Sequence, residues 1–238
     1  TLVEGLILNG YATNSNKSYV FIRQGHEIPI KAIERAISEA YENGLLGKNI
    51  LGSNFSFDME VSLTGDSYVA GEETALMEAI EGKRSTPRFK PPFPAASGLW
   101  KKPTNINNVK TISYVPQIIK NGSEWFKSTG TEKSSGTAIV CLSGHINRPG
   151  MYEVPMGMTI EEVLDEVGGG SNSNKSIKML QTGGPLGGVL GKEAFSTKID
   201  FDEMAQSGAI LGSGGIIVCD ETVSVVDLIR NLVAFNQF

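Results

Sequence analysis

The sequence predicts an α/β protein, and three observations carry that expectation. Short apolar runs that alternate at period two take turns with stretches whose apolar residues recur at helical spacing. Glycine, asparagine and proline punctuate nearly every change of period. Hydrophobic residues make up 40% of the 238-residue chain and charged residues 20%, enough apolar surface for a packed core and far from a disordered composition.

Taken in order, residues 4–9 and 19–23 read as short strands bounded by Gly and Asn/Ser turns. Pro29 stands near a helix start, and Ile30, Ile33, Ala36, Ile37, Ala40 and Tyr41 keep helical spacing until Asn43-Gly44. Met59 to Leu63 alternate as a strand, and Gly71 opens a helix through Ile80 that Gly82 closes. This strand–helix rhythm is that of a layered α/β unit with parallel pairing. Residues 83–110 show no period and carry Pro87, Pro91, Pro92, Pro94 and Pro103, so a long, stiff and functional loop is expected. Thr111 to Ile119 read as a helix, with Trp125 and Phe126 anchoring the segment after it.

From Gly136 the pattern changes. Thr137–Ile146 reads as a strand, Asn147–Gly150 as a turn and Met151–Pro155 as the returning strand. Thr159 caps a helix with Glu161 and Glu162 in its first turn, stopped by Gly168-Gly169-Gly170. Ile177–Gln181 and Gly215–Asp220 are further strands, and hairpin, helix and returning strands describe a small β-grasp sheet. Thr182-Gly-Gly-Pro-Leu-Gly187 follows a strand but opens no helix, so it reads as a turn of that sheet rather than a phosphate loop. Thr222 to the end is an amphipathic helix. The expected domains are an α/β unit over 1–110, a connecting helix and linker over 111–135, the β-grasp unit over 136–220, and a last helix over 221–238 that begins another domain. Thr1 in place of an initiator methionine suggests a boundary inside a longer protein.

Composition also narrows function. No apolar run is long enough to span a membrane and none reads as a signal peptide. Cys141 and Cys219 each sit in an apolar run without a C-x-x-C partner, so both are expected as small core residues in a reducing, cytoplasmic setting. Two histidines are too few for a histidine-rich metal site. The net charge of −5 hides segregation: from Lys83 to Ser123 there are eight basic residues and no acid. Such a stretch invites anions, while the acidic remainder and the proline-rich setting argue against nucleic acid.

One motif precedes that basic stretch and two lie within it. Gly71-Glu72-Glu73-Thr74 begins a helix. Its carboxylates either satisfy the helix macrodipole or accept hydrogen bonds from a ligand's amide or hydroxyl groups, and Gly71 lets a planar ligand approach. Lys90-Pro-Pro-Phe-Pro94 supplies a cation and an aromatic face, either solvated charge and core plug or contacts to a phosphate and a ring. Asn107-Asn108-Val109 with Thr111 offers paired amides, which serve as a turn or helix cap when they bind nothing.

In order and wording these motifs, with Tyr68 ahead of the first, resemble the flavin-bearing F-type subunit of the NADH:quinone oxidoreductase (complex I) family, also found in NAD-linked hydrogenases and formate dehydrogenases. The resemblance implies a partial flavin-binding α/β sandwich, then a soluble-ligand-binding β-grasp (SLBB) domain and the start of a helical domain. It implies FMN and NAD(H) chemistry, with hydride passing from NADH to FMN and electrons onward to iron–sulfur clusters. Tyr68, Gly71, Glu72 and Glu73 would line FMN and the incoming dinucleotide, with Glu73 facing NAD(H). Lys90 would meet cofactor oxygens, Phe93 would stack near adenine, and Asn107, Asn108 and Thr111 would bind FMN. Partners would be a thioredoxin-like 2Fe-2S subunit and a large iron–sulfur subunit, at the cytoplasmic face of a membrane complex without direct insertion.

This chain departs from the family at both ends. The glycine-rich G-R-G-G loop has no counterpart in residues 1–60, and the four cysteines that hold a 4Fe-4S cluster in the parent protein are absent. The stretch therefore matches the middle of the subunit, and by itself would be inactive. A competing reading keeps the fold as a non-catalytic assembly module whose β-grasp domain docks a partner or small ligand.

Overall fold

The computed structural model describes residues 1–65 and 67–237. They form two compact units, Thr1–Lys120 and Asn121–Phe238, of mixed α/β character.

The first unit opens with helix α1 (Leu2–Thr13), where residues 4–9 were expected as a strand. Leu2, Val3, Leu6 and Ile7 lie on one helical face against the core. Gly5, inside the stretch expected as a strand, and Gly10, at its boundary, are buried close-approach positions inside the helix. A Cβ on Gly5 would stand 2.3 Å from the Ile112 carbonyl oxygen, and one on Gly10 would stand 2.4 Å from the Phe57 ring. Asn14, left-handed at φ 53°, ends the helix. Strand β1 (Lys17–Arg23), helix α2 (Glu27–Glu42) and strand β2 (Asp58–Thr64) come next. β1 and β2 pair in parallel from Lys17↔Asp58 to Arg23↔Thr64, so α2 is the crossover that parallel strands require. Val20, Ile33, Ile37, Ala40, Phe57 and Met59 form the core between them. Helix α3 (Glu73–Ile80) lies beyond β2. A long irregular segment, broken by one tight turn at Leu99–Lys101, leads to helix α4 (Val109–Asn121). Pro116 sits inside α4 and has no N–H for the Ile112 carbonyl four residues back; Gly5 lies against that carbonyl.

The second unit begins with the short helix α5 (Ser123–Lys127). Phe126 is its anchor, filling the space where a side chain at Gly136 would collide; Trp125 is half exposed. Strands β3 (Thr137–Gly144), β4 (Gly150–Pro155), β5 (Ile177–Thr182), β6 (Val189–Gly191) and β7 (Gly215–Asp220) make one sheet in the order β4-β3-β7-β5-β6. The β3/β7 pair is parallel and the other pairs are antiparallel. Helix α6 (Ile160–Glu162) carries a capping box between Thr159 and Glu162 and runs into a wider turn over Val163–Val167. Helix α7 (Phe201–Gln206) packs Met204 into a core shared with Val140, Leu180, Ile199 and Val218. Neither β6 nor α7 was anticipated from the sequence.

Three further expectations change in this unit. Residues 128–136, expected as a linker, fold onto it: Gly130 bridges Ser135, and the Thr131 hydroxyl donates to Asp200 at 2.6 Å. Cys219 is buried, and burial pushes its thiol pKa up, but Cys141 is exposed. Ala138, Val140 and Leu142 point inward, and a strand's period of two sends Cys141 the other way. The final helix, α8 (Val225–Phe235), starts after Ser224, whose hydroxyl accepts from Asp227 N–H; Thr222 is instead tied to Asp220. The Thr182–Gly187 segment is the connection between antiparallel β5 and β6, closed by Thr182 N–H to the Gly188 carbonyl. Among the described residues no helix is long and apolar enough to cross a membrane.

Candidate nucleotide site

A tight turn over Tyr68–Gly71 leads from β2 into α3, and Glu72 is the residue that caps the helix. One of its carboxylate oxygens accepts the backbone N–H groups of Thr74 and Ala75, each at 2.9 Å, and the Thr74 hydroxyl. Burial works against the ionised form of Glu72. The Thr74 hydroxyl, the two N–H groups and the nearby Lys90 outweigh it, and the carboxyl is held below its usual range. Glu72 is thus committed first to the helix start, while Glu73, in the first turn, is turned toward the loop.

The loop comes back onto this helix. The Lys90 ammonium donates to Glu73 and stands 3.6 Å from a Glu72 oxygen. Its pKa is raised, chiefly by the hydrogen bond to Glu73. Two residues earlier, the Arg88 backbone N–H donates to the Thr74 hydroxyl oxygen at 2.8 Å. The Arg88 guanidinium reaches Glu78, Glu81 at 2.9 Å and the Gly98 carbonyl at 3.1 Å. Glu81 also accepts the Trp100 N–H at 2.8 Å and the Lys83 ammonium at 2.7 Å. Burial opposes the charge on Glu81, but the bonds from Lys83, Trp100 N–H and Arg88 prevail and lower its pKa to about 2.

Three of the eight cations in the acid-free stretch are therefore not open to anions. Lys83, Arg88 and Lys90 are neutralised by Glu72, Glu73, Glu78 and Glu81 of the preceding helix and its cap. For these three, segregation along the chain becomes pairing in space because the loop doubles back on α3.

The aromatic and small residues of the motifs lie open. Tyr68 is 59% exposed and Phe93 60%, so Phe93 is no core plug. A Cβ on Gly71 would meet nothing within 4 Å, which leaves room for a ligand there. Asn108 is the cap of α4: its Oδ1 accepts the Lys110 N–H at 2.8 Å, so its Nδ2 is the group left to face a ligand. Asn107 donates to Asn105 at 3.0 Å, and Asn105 reaches Asn9 of α1 at 3.3 Å. Thr111 is exposed in the first turn of α4. Two groupings emerge: Glu72, Glu73 and Lys90 at the start of α3, and Asn107, Asn108 and Thr111 at the start of α4. An open hollow of about 480 Å³ near the other end of α3, with Thr64, Ser67 and Arg84 in its wall, is lined by none of the predicted residues.

Sequence reasoning missed Thr74, Glu78, Glu81 and Arg88. The available signal was the spacing of Glu78 and Glu81 on one helical face, ahead of cations in a stretch without acids of its own.

Comparison with known proteins agrees with this fold. Residues 1–117 match the family model described as the Nuo51 FMN-binding domain, and residues 139–190 match the SLBB domain. Subunit HndC of the NADP-reducing hydrogenase of Solidesulfovibrio fructosivorans is 44% identical over 237 residues, covering 100% of this chain and 48% of that protein. The F 2 subunit of the NADH-quinone oxidoreductase of Rhizobium meliloti is 42% identical, covering 98% of this chain and 56% of that protein. A crystal structure of NAD⁺-reducing [NiFe]-hydrogenase in the air-oxidised state superposes with a TM-score of 0.82 at 29% identity, over 98% of this chain and 38% of that one. Together with the fold, these matches define an FMN-binding-type α/β unit followed by an SLBB unit. The chain belongs to the family of the F-type subunit of NADH:quinone oxidoreductase, and it spans about half the length of the curated relatives it matches.

Proposed function

We propose that this chain is the central part of a flavoprotein subunit that oxidises NADH. The observation that carries the reading is the convergence of two motifs distant in sequence, Glu72-Glu73 and Lys90, on the open start of α3. A dinucleotide presents hydroxyl and amide donors together with anionic phosphates, and an adjoining carboxylate and ammonium complement both. FMN, when bound, accepts the hydride of NADH and releases electrons singly to iron–sulfur centres.

The residues present fit those groups. Glu73 would accept from the nicotinamide amide or a ribose hydroxyl, Lys90 would meet phosphate or ribose oxygens, and the exposed Phe93 would stack on adenine. Tyr68 and Gly71 would line the flavin, while Asn107, the Nδ2 group of Asn108 and Thr111 would hold its polar edge or phosphate. Glu72, already engaged with three donors, would serve by fixing the backbone on which Glu73 is carried. No side chain need act as acid or base; the work is orientation and electrostatics.

The same reading assigns residues 136–220 to a β-grasp domain, α8 to the start of a helical domain whose 4Fe-4S ligands lie outside this chain, and residues 111–135 to the connection. The partners would be a thioredoxin-like 2Fe-2S subunit and a large iron–sulfur subunit on the cytoplasmic side. Purification of the full-length subunit tests the proposal. Flavin visible absorbance that bleaches on adding NADH is expected, and a colourless protein that does not oxidise NADH would return the chain to the role of an assembly module.

A further inference from the structure

The structure assigns Arg88 and Thr74 as the positioning pair that sets the register of the 83–104 loop on α3, and so holds Lys90 in place for the dinucleotide. This inference rests on the reading of the site just given. The loop has almost no regular structure of its own, and a segment of that length keeps one conformation only if something other than a backbone ladder closes it.

Arg88 closes it at several points. Its backbone N–H is bound by Thr74, whose hydroxyl proton goes to Glu72, so one buried hydroxyl connects the cap of α3 to the residue two before Lys90. Its guanidinium, with 26% of the side chain exposed, binds α3 through Glu78 and Glu81 and binds the far limb of the loop through the Gly98 carbonyl. Glu81 takes the Trp100 N–H with the same oxygen that receives Arg88. Both limbs are thereby fixed to one carboxylate. Only a planar fork with several donors can serve these directions at once; a lysine offers a single point of charge. Neither Arg88 nor Thr74 is placed against the ligand, so both act through Lys90 and Glu73.

The test pairs NADH kinetics in the full-length, flavin-loaded subunit with a cofactor-free reading on this chain. In a Trp125→Phe background, Trp100 alone reports the loop. Arg88→Met is expected to red-shift Trp100 emission and to raise the KM for NADH by roughly tenfold, with kcat moving much less. Arg88→Lys should recover little of the loss. Thr74→Val, which removes the hydroxyl but no charge, should act in the same direction, and Thr74→Ser should restore the KM; this second pair keeps the test decisive should Arg88→Met fold poorly. A Lys90→Ala variant is the control. If Lys90→Ala raises the KM but Arg88→Met and Thr74→Val do not, the positioning role is overturned alone. If Lys90→Ala leaves the KM unchanged, the reading of the site falls, and the positioning role with it.

Discussion

The two units spend their stabilising interactions differently. In the second, seventeen buried apolar residues from five strands and their helices make one core. In the first, the core around the two-stranded sheet holds eight, and much of the remaining order lies in charged and polar contacts that fasten an irregular loop to α3. A unit built mainly on hydrophobic burial tolerates an exposed surface without consequence. A unit whose loop is held by ion pairs exposes aromatic residues beside them, as Tyr68, Phe93 and Trp100 are exposed here, and can offer those surfaces to a ligand.

That contrast can be broken experimentally, because each unit contains one tryptophan, Trp100 in the first and Trp125 in the second. The largest effect is expected from Leu180→Ala. Leu180 is fully buried on β5, and truncation should cost about 2–5 kcal/mol. Denaturant unfolding followed at Trp125 should shift while the Trp100 transition stays in place; a common shift would show that the two do not unfold as separate bodies.

Next comes Gly5→Ala, which sets a methyl 2.3 Å from the Ile112 carbonyl and should cost about 1–3 kcal/mol by overpacking. Here the Trp100 transition should move and the Trp125 transition should not.

Effects on the site should be of the order of tenfold, the scale of one hydrogen bond to a charged or buried group. In the full-length subunit Glu73→Gln should weaken NADH turnover and leave FMN bound, whereas Asn108→Ala should loosen FMN. Lys90→Ala should raise the KM for NADH, with a loss that shrinks at high salt if the contact stays partly exposed. If all three variants retain flavin and oxidise NADH as the parent does, the start of α3 is scaffold.

The smallest effect concerns acid. The Glu81 pKa falls from 4.5 to about 2 on folding. A depressed carboxyl stabilises the fold fully above its unfolded value and loses that contribution as pH falls through its folded value. Trp100 emission should therefore change between about pH 4.5 and 2, and Glu81→Gln should abolish that step. A step that survives the substitution would locate the titration elsewhere.

How much of this was legible in the sequence depended on the range of the interaction. β1, α2, β2, α3, the β3/β4 hairpin and the Thr159 cap follow from periodicity and local turn chemistry, and all appear within a few residues of their expected bounds. α1 was misread because its glycines look like punctuation until Ile112 and Phe57 are seen against them. β6 has three residues and α7 six, too few for a period to declare itself. In the site, the motifs marked the residues, but the pairing of Lys83, Arg88 and Lys90 with α3 depends on the loop folding back, for which the spacing of Glu78 and Glu81 is the one local signal. Adjacent asparagines taken alone read as a turn or cap, and the ligand role came from the resemblance; Asn108 is a cap with one amide face to spare.

The outward turn of Cys141 has a practical side. With Cys219 enclosed and its thiol pKa raised, a thiol-reactive dye at neutral pH should attach at one place in the unaltered sequence, since exposure and thiolate fraction govern such reactions. A probe there would sit on the outer face of β3, across from Met151 of β4. It would give the second unit an optical label without mutagenesis and leave both tryptophans available as energy-transfer donors.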